Sequence, residues 1–248
     1  GCYAALALSA AACITGADAE KRVQIPDAAG MKDEILIQKN QRYGFDRCYT
    51  LSGGKLVEVG DEHGTTPEQL EAAIGPNTAA VVDFVQPDWG DGVVPLEDVV
   101  QIAHKHEVPV IADAASRIYP LDYFFQTARA ADLVCFGGKY VNAPQSTGFV
   151  CGRKDLVEVI AGHGFVSPRP FGRGMKVDRQ EIVGLVVGLE EWFSMDHEAR
   201  FREYDAKFDA IKQGLEGVSG VREVEVVRTK RHPGVTLHVV IDSEVLGK

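Results

Sequence analysis

A lysine and an aspartate stand at the ends of two predicted strands, where their side chains could act on one ligand. Asp113 ends the apolar run 108–113 (VPVIAD), and Lys139 follows the run 131–136 (ADLVCF) after two glycines. The gap between them is about the length of one strand–helix–strand crossover. Because ligands of open parallel sheets lie beyond the carboxyl ends of the strands, we expect both side chains to face one crevice.

An amine beside a carboxylate in such a crevice suits pyridoxal 5'-phosphate. This cofactor needs a lysine amine to form an imine and an acidic partner for its pyridine nitrogen, which Lys139 and Asp113 can supply. Gly138 lets the backbone approach a flat ring, Ala115 leaves room for it, and Ser116 offers a hydroxyl to the ring oxygen or the phosphate. Singly, an aspartate at a strand end is often a helix cap and a loop lysine is usually solvated, but their combination favours a cofactor site.

Strand-like and helix-like segments alternate over most of the chain. Short, β-branched and nearly continuous apolar runs predict strands covered on both faces, at residues 34–38, 55–59, 79–85, 108–113, 131–136 and 148–152. One helix is predicted to start at Thr66-Pro67-Glu68, with a capping hydroxyl and a first-turn proline, and another at about Pro95. This alternation predicts an α/β fold with a mainly parallel sheet and helices on both faces.

The pattern changes in the last third of the chain. Asp178-Arg179-Gln180-Glu181 has the spacing of a capping box, and a long helical pattern follows it to about Ile211. Two runs of alternating character, 221–227 and 235–241, predict a pair of strands separated by His232-Pro233-Gly234. These elements predict part of a smaller α+β domain.

We expect three parts along the chain. They are a cofactor-binding large domain, a long connecting helix region and a partial C-terminal small domain, at residues 1–177, 178–213 and 214–248. The chain stops before the pattern of the small domain is complete, so we expect it to be truncated there.

Composition narrows the classes of function. The net charge of the 248 residues is −10 and no basic tract occurs, which argues against broad binding to nucleic-acid phosphates. The five cysteines are widely spaced without a CxxC pair, so the sequence predicts neither a disulfide framework nor a metal site. Reduced thiols in a cytoplasmic protein fit this pattern.

One apolar segment near the start of the chain resembles the core of a secretory signal. Residues 4–14 (AALALSAAACI, with Leu6 and Leu8) are apolar. A signal peptide requires basic residues before its apolar core, but neither Lys nor Arg precedes this segment. The segment is also too short to span a membrane. We therefore predict a buried helix there.

Three stretches of the chain resemble one enzyme family. They are VPVIADAAS, FGGKYVNAPQSTGFVCGRKDLVE and FGRGMKVDRQEIVGL, at residues 108–116, 136–158 and 171–185. The chain is similar to the fold-type I pyridoxal-phosphate enzymes, specifically to the selenocysteine-synthase-like group of L-seryl-tRNA selenium transferase and D-glucosaminate-6-phosphate ammonia-lyase. The resemblance runs from Gly1 to about Arg200. It implies an aminotransferase-like large domain, in which Asp113 pairs with the pyridine nitrogen and Lys139 carries the Schiff base.

The resemblance also bears on the start of the chain and on one departure. It implies that Gly1 and Cys2 form a turn that opens a phosphate-binding helix, although an ordinary helix start is the alternative. It further implies that an N-terminal arm is missing, so that the chain is truncated at both ends. Relatives often carry a serine three residues before the lysine, where this chain has Phe136. Its phosphate contacts should therefore differ in part, or the register of this segment is shifted by one residue.

Two arginines are weaker candidates for binding an anionic group of the substrate, because a guanidinium matches carboxylates and phosphates. Arg173 lies where members of the family place a basic residue near the site. Arg42 follows the predicted strand 34–38 and could lie near the cofactor ring with Gln41. A solvated interdomain loop is the alternative interpretation for Arg173, whereas for Gln41 and Arg42 the sequence favours a surface loop.

The sequence thus predicts a lyase or transferase that acts on an amino-acid-like small molecule. A class V-type aminotransferase is one alternative, because the early steps are shared, and a non-catalytic scaffold or inactive fragment of the fold is another. We expect a homodimer or a higher homo-oligomer with no membrane association. A nucleic-acid partner is not expected, unless a missing N-terminal arm binds tRNA.

Overall fold

The computed structural model describes residues 1–86, 89–229 and 234–246. The chain divides into two compact units, Gly1–Trp192 and Phe193–Lys248. Each unit has a sheet of its own in the part that is described. The predicted division at residues 1–177, 178–213 and 214–248 stays a prediction.

A six-stranded sheet forms the centre of the first unit. Its strands in chain order are β1 Glu34–Gln38, β2 Lys55–Val59, β3 Thr78–Phe84, β4 Val110–Asp113, β5 Leu133–Gly137 and β6 Gly148–Gly152. Their order across the sheet is β2-β1-β3-β4-β5-β6. All neighbours are parallel except β5 and β6, which are antiparallel. The predicted mainly parallel sheet is confirmed.

Helices connect the strands and flank the sheet. They are α1 Cys2–Thr15, α2 Ala19–Gln24, α3 Pro67–Ala73, α4 Leu96–Lys105, α5 Leu121–Thr127, α6 Lys154–His163 and α7 Arg179–Ser194. The Thr66 hydroxyl and the Gln69 side chain form a capping box at α3, with Pro67 in the first turn, as the sequence indicates.

Alternate side chains of the strands build a hydrophobic core on each face of the sheet. Ile35 and Ile37 of β1 belong to the core that includes α1. Leu36, between them, packs on the other face with Leu70 of α3 and Val99 of α4. The helices therefore cover both faces of the sheet, which explains why the sequences of the strands are continuously apolar.

The predicted buried helix at residues 4–14 is confirmed as α1. Its alanines Ala7, Ala10, Ala11 and Ala12 are completely buried, and such small side chains let a helix lie close to a sheet at high packing density. In the part of the chain that is described, we find no helix with the length and apolar character needed to cross a membrane.

Several predicted boundaries differ from those of the structure, two of them for a clear local reason. Strand β4 begins at Val110 and not at residue 108, because Pro109 has no N–H to donate to a neighbouring strand. The long helical pattern is two helices, α7 and α8 His197–Leu215. Asp196 interrupts it, since its carboxylate accepts a hydrogen bond from the Ala199 N–H at 2.9 Å and caps α8.

The second unit contains α8 and an antiparallel pair of strands. These are β7 Val221–Thr229 and β8 Gly234–Ile241, followed by α9 Ser243–Leu246. Helix α8 packs against both strands. The predicted strand pair is confirmed, whereas His232 and Pro233 between its strands lie outside the described residues.

Candidate active site

The ends of the adjacent strands β4 and β5 place Asp113 and Lys139 on one cavity. Asp113 is the last residue of β4 and pairs with Cys135 of β5. Lys139 lies in the short 3-10 turn Gly138–Val141, directly after β5. Both residues line a cavity of ≈ 240 Å³. The structure thus brings together the carboxylate and the amine that the sequence singles out.

Asp113 is almost completely buried, with 3% of its surface exposed. Its Oδ1 accepts hydrogen bonds from the Ala115 N–H at 3.1 Å and from the Cys2 thiol at 3.6 Å. Its Oδ2 accepts one from the Tyr43 hydroxyl. Burial raises the pKa of Asp113 and these hydrogen bonds oppose the rise, because burial disfavours the charged form and donors stabilise it.

Tyr43 is the contact of Asp113 that the sequence did not indicate. Its ring stacks on Phe84 at the end of β3, with ring centroids 4.4 Å apart and planes 6° apart. This stacking holds the hydroxyl against the Asp113 carboxylate. A tyrosine two residues after Gln41 has no spacing signal of its own, because the loop that carries it returns to the sheet only in three dimensions.

The neighbouring residues Gln41 and Arg42 do not line the cavity of Asp113 and Lys139. Gln41 is completely buried, so the interpretation as a surface residue is wrong for it. Its side chain donates to Asp83 Oδ2 at 2.9 Å and accepts from the Phe84 N–H at 3.1 Å. The Arg42 guanidinium forms ion pairs with Asp46 and Glu58. Two carboxylates therefore hold Arg42 away from the predicted substrate.

The turn that carries Lys139 is tightly packed on its inner side. The Lys139 ammonium nitrogen lies 5.0 Å from the centroid of the Tyr140 ring, and both residues line the cavity with Thr147. A Cβ at Gly138 would collide with the Thr147 hydroxyl. Gly138 is thus required for close packing under the lysine, although it is not itself part of the cavity lining.

The N-terminus of α1 forms another wall of the cavity that Asp113 and Lys139 line. Gly1, Cys2 and Tyr3 line the cavity together with Ala115. The Gly1 carbonyl accepts from the N–H groups of Ala4 and Ala5, whereas within the described ranges the Cys2 and Tyr3 N–H groups have no acceptor. Unpaired N–H groups of a first helical turn are suited to bind an anion.

Three other residues named from the sequence lie elsewhere. Ser116 is buried and is not in the cavity lining. Arg173 lines a separate groove with Lys176 and donates to the Phe165 carbonyl at 3.4 Å. Phe136 is completely buried and stacks on Phe149, so the position that holds a serine in relatives belongs to the core here.

Comparison with protein families finds one match that covers the centre of the chain. Residues 50–177 match the family described as "Aminotransferase class-V". This range contains Asp113, Lys139 and the whole sheet from β2 to β6.

Curated proteins of several activities are similar to the chain. It is 31% identical over 229 residues to the 5'-C-glycyluridine monooxygenase-decarboxylase of a Streptomyces species, covering 89% of this chain and 55% of the relative. It is 31% identical over 226 residues to the D-glucosaminate-6-phosphate ammonia lyase of Salmonella typhimurium, covering 88% and 58%. The L-seryl-tRNA(Sec) selenium transferase of Aquifex aeolicus is 27% identical over 234 residues, covering 81% and 50%.

A solved structure supports the same relationship. A structure of D-glucosaminate-6-phosphate ammonia-lyase superimposes with a TM-score of 0.80 at 27% identity, over 99% of this chain and 65% of the other. The chain therefore spans between about half and two thirds of the length of these relatives.

Proposed function

Because this chain belongs to the aminotransferase class-V family, we propose that it is the cofactor-binding part of a pyridoxal-phosphate-dependent lyase or transferase acting on an amino-acid-like substrate. This family and the related lyases and selenium transferases are pyridoxal-phosphate enzymes. The observation that carries the proposal is the single cavity lined by Lys139, Asp113 and the N-terminus of α1.

Three groups of the cavity fit three parts of the cofactor. Lys139 would bond through its amine to the aldehyde carbon, and Asp113 would accept a hydrogen bond from the protonated pyridine nitrogen. The free N–H groups of Cys2 and Tyr3 would hold the phosphate. Gly148 makes room at this wall, since a Cβ there would lie 2.8 Å from the Cys2 nitrogen. The bound cofactor supplies an electron sink for the substrate's α-carbon.

Lys139 is also the group of this cavity that can move a proton at the substrate. With the cofactor bound, the Lys139 amine would lie in the cavity beside the substrate and would be the group that accepts the proton of the α-carbon. Asp113 is the carboxylic acid in the described lining of the cavity. As the proposed partner of the ring nitrogen, it is not available to accept a proton from the substrate. We therefore assign the proton transfer to Lys139.

Elimination or replacement of a substituent is the reaction type that we propose. The relatives named above include an ammonia lyase and a selenium transferase and no aminotransferase, whereas the description of the family is what favours transamination. Gln145 and Tyr140 line the cavity beside Lys139 and are placed to contact a small polar substrate. We infer an amino acid or an amino-sugar acid as the substrate class.

The experiment that tests this function is a substrate screen. The protein is loaded with pyridoxal phosphate and mixed with single amino acids and amino-sugar acids, and its visible spectrum and the release of ammonia or keto acid are followed. We expect one substrate class to change the spectrum and to lose its substituent. A protein that takes up no cofactor, or that holds it without a response to any of these compounds, would contradict the proposal.

Replacing Tyr43 by phenylalanine should make cofactor binding more sensitive to acid. The Tyr43 hydroxyl stabilises ionised Asp113 and thereby opposes the rise in its pKa that burial causes. Without this hydrogen bond, the pKa of Asp113 should rise further, because the ionised carboxylate loses a donor. Ionised Asp113 is needed to pair with the cationic ring, so the pH below which cofactor binding weakens should move upward.

The matched control is Tyr49→Phe, measured in the same titrations of cofactor binding against pH. Tyr49 is buried and its hydroxyl lies 3.5 Å from that of Tyr43, but no hydrogen bond joins it to Asp113 among the described contacts. We expect a smaller shift for this variant. Equal shifts for both variants would show that Tyr43 acts through packing and not through Asp113.

We also propose that the protein is cytoplasmic and forms a homo-oligomer. The five cysteines are free thiols, as is usual in reducing compartments. The apolar side chains Ile182, Val183, Val186 and Val187 of α7 are 44% to 62% exposed, and a contiguous exposed apolar patch supports an interface between subunits. Sedimentation of the loaded protein tests the homo-oligomer, and a monomer at every concentration would refute that part of the proposal.

A further inference from the structure

A second cavity lies on the face of the sheet opposite to Asp113. Asp83 of β3 is in register with Ala112 of β4. Since successive residues of a strand point to opposite faces, Asp83 and Asp113 point away from each other across the sheet. Asp83 lines a cavity of ≈ 400 Å³ between the loop after β3, the start of α4 and the helix α5. This volume is in the range of small-molecule sites.

One oxygen of the buried Asp83 carboxylate is without a partner. Only 2% of the residue is exposed. Its Oδ2 accepts hydrogen bonds from Gln41 Nε2 at 2.9 Å and Gln38 Nε2 at 3.5 Å. Its Oδ1 has no donor among residues 1–86, 89–229 and 234–246. Since Asp83 lines the cavity, this oxygen is accessible from it, and a ligand that carries a hydrogen-bond donor can pair with it there.

The side chains that hold Asp83 are themselves fixed. The Gln38 amide exchanges two hydrogen bonds with the backbone of Val94, at 2.9 Å and 2.7 Å. Gln41 accepts from the Phe84 N–H at 3.1 Å. Neither glutamine can turn to reach Asp83 Oδ1 without breaking these bonds. The unpaired oxygen is therefore part of a built site and does not result from a loose side chain.

The other walls of the cavity favour a cation. Its described lining holds a second acid, Glu97, and neither lysine nor arginine. Trp89 and Tyr123 add aromatic surface, and the Trp89 indole N–H is fixed by a hydrogen bond to the Phe84 carbonyl at 2.8 Å. Carboxylates with aromatic rings attract organic cations, and a second buried anion would be unfavourable there.

We propose that this cavity binds a small organic ammonium ion. Its N–H⁺ group donates to Asp83 Oδ1 and its apolar part lies against Trp89 and Tyr123. This site is separate from the cavity of Asp113 and Lys139, which holds a lysine and lies on the other face of the sheet. It does not depend on the proposed reaction.

The test uses N,N-dimethylbenzylamine as the probe. This tertiary amine is cationic at neutral pH, has one N–H⁺ donor and an aromatic ring, and cannot form an imine with pyridoxal phosphate. Calorimetric titration into the cofactor-loaded protein should show one site, and the neutral analogue benzyl alcohol should bind at least about tenfold more weakly. Absence of binding by the amine, or equal binding by the alcohol, would overturn the proposal.

Two variants locate the binding, and a third is the control. Asp83→Asn keeps the shape and an acceptor for the glutamines, and should weaken the amine about ten- to hundredfold, the value of a charge-assisted hydrogen bond. Val93→Trp fills the cavity without touching the carboxylate and should abolish binding. Asp155→Asn makes the same change of net charge at an exposed position of α6 and should have no effect. Wild-type affinity in either of the first two variants would refute the site.

Binding should also weaken in acid. Burial raises the pKa of Asp83 to about 6, against the effect of the two glutamine donors. The cation needs the ionised carboxylate, so affinity should be full above this pH and fall by about tenfold per pH unit below it. Glu97 and Tyr123 are the other titratable groups of the described lining. The fall must therefore disappear in Asp83→Asn, and its persistence there would assign it to Glu97 and contradict the role of Asp83.

Discussion

Replacing Lys139 by alanine should abolish covalent attachment of pyridoxal phosphate and lower turnover at least about a hundredfold, the usual contribution of a general base. The lysine amine stands on the same cavity as Asp113 and the α1 N-terminus, which gives it a high effective concentration beside the cofactor aldehyde. Alanine leaves those two contacts intact, so the variant still binds the cofactor noncovalently. Reduction with borohydride, followed by peptide mass spectrometry, should find the cofactor on Lys139 in the wild type and on no peptide of the variant.

The control for this result is Lys154→Ala. The Lys154 side chain is 90% exposed at the start of α6, so its loss should leave labelling and turnover unchanged. Lys139 is itself exposed in its turn, and removing a side chain of this kind costs little stability, so both variants should unfold at the wild-type temperature. Labelling of Lys139→Ala at the wild-type level would mean that another lysine, with Lys154 and Lys176 examined first, carries the cofactor.

Asp113→Asn should weaken cofactor binding about ten- to hundredfold and should lower turnover further. The amide cannot act as the ionic partner of a protonated pyridine ring, and the lost charge-assisted hydrogen bond is worth about 1.5–3 kcal/mol. Turnover falls more than affinity, because an unprotonated ring is a weaker electron sink. Spectroscopic titration of the cofactor measures the first effect, and single-turnover kinetics with the best substrate of the screen measures the second.

The same substitution should leave the fold intact. Burial raises the pKa of Asp113, which means that the folded state disfavours its charged form. This contribution opposes folding at pH values above the ordinary pKa of an aspartate and vanishes in more acidic solution. A neutral asparagine should therefore give an unfolding temperature at neutral pH that is equal to or above that of the wild type.

Asp132→Asn is the matched control, because Asp132 is an equally buried carboxylate at the opposite ends of the strands. Its carboxylate accepts a hydrogen bond from the Val110 N–H at 2.8 Å. It also contacts His104 Nε2 at 2.9 Å and accepts a hydrogen bond from the Arg153 guanidinium at 3.2 Å. Its replacement should lower stability without changing the cofactor affinity of the folded protein. Equal losses of affinity in both variants would show that Asp113 only supports the fold.

The amino-acid sequence predicted the architecture and singled out the two residues that meet in the candidate site. Continuous β-branched runs predict buried parallel strands, because residues covered on both faces must be apolar at every position. Asp113 and Lys139 could be singled out because the carboxyl ends of neighbouring parallel strands meet at one edge of the sheet. The starts of helices α3 and α7 could be predicted from their capping residues, because capping hydrogen bonds join residues only three positions apart.

The tertiary structure decided which other side chains reach the two cavities. Tyr43 meets Asp113 across 70 positions of the chain, and Gln38 and Gln41 meet Asp83 across more than 40. Arg42 and Arg173 were plausible by type, yet ion pairs and a separate groove hold them away from the Asp113 cavity. Local patterns record hydrogen bonds and faces within one element, whereas contacts between loops depend on how the elements pack, and no periodicity of the sequence encodes that packing.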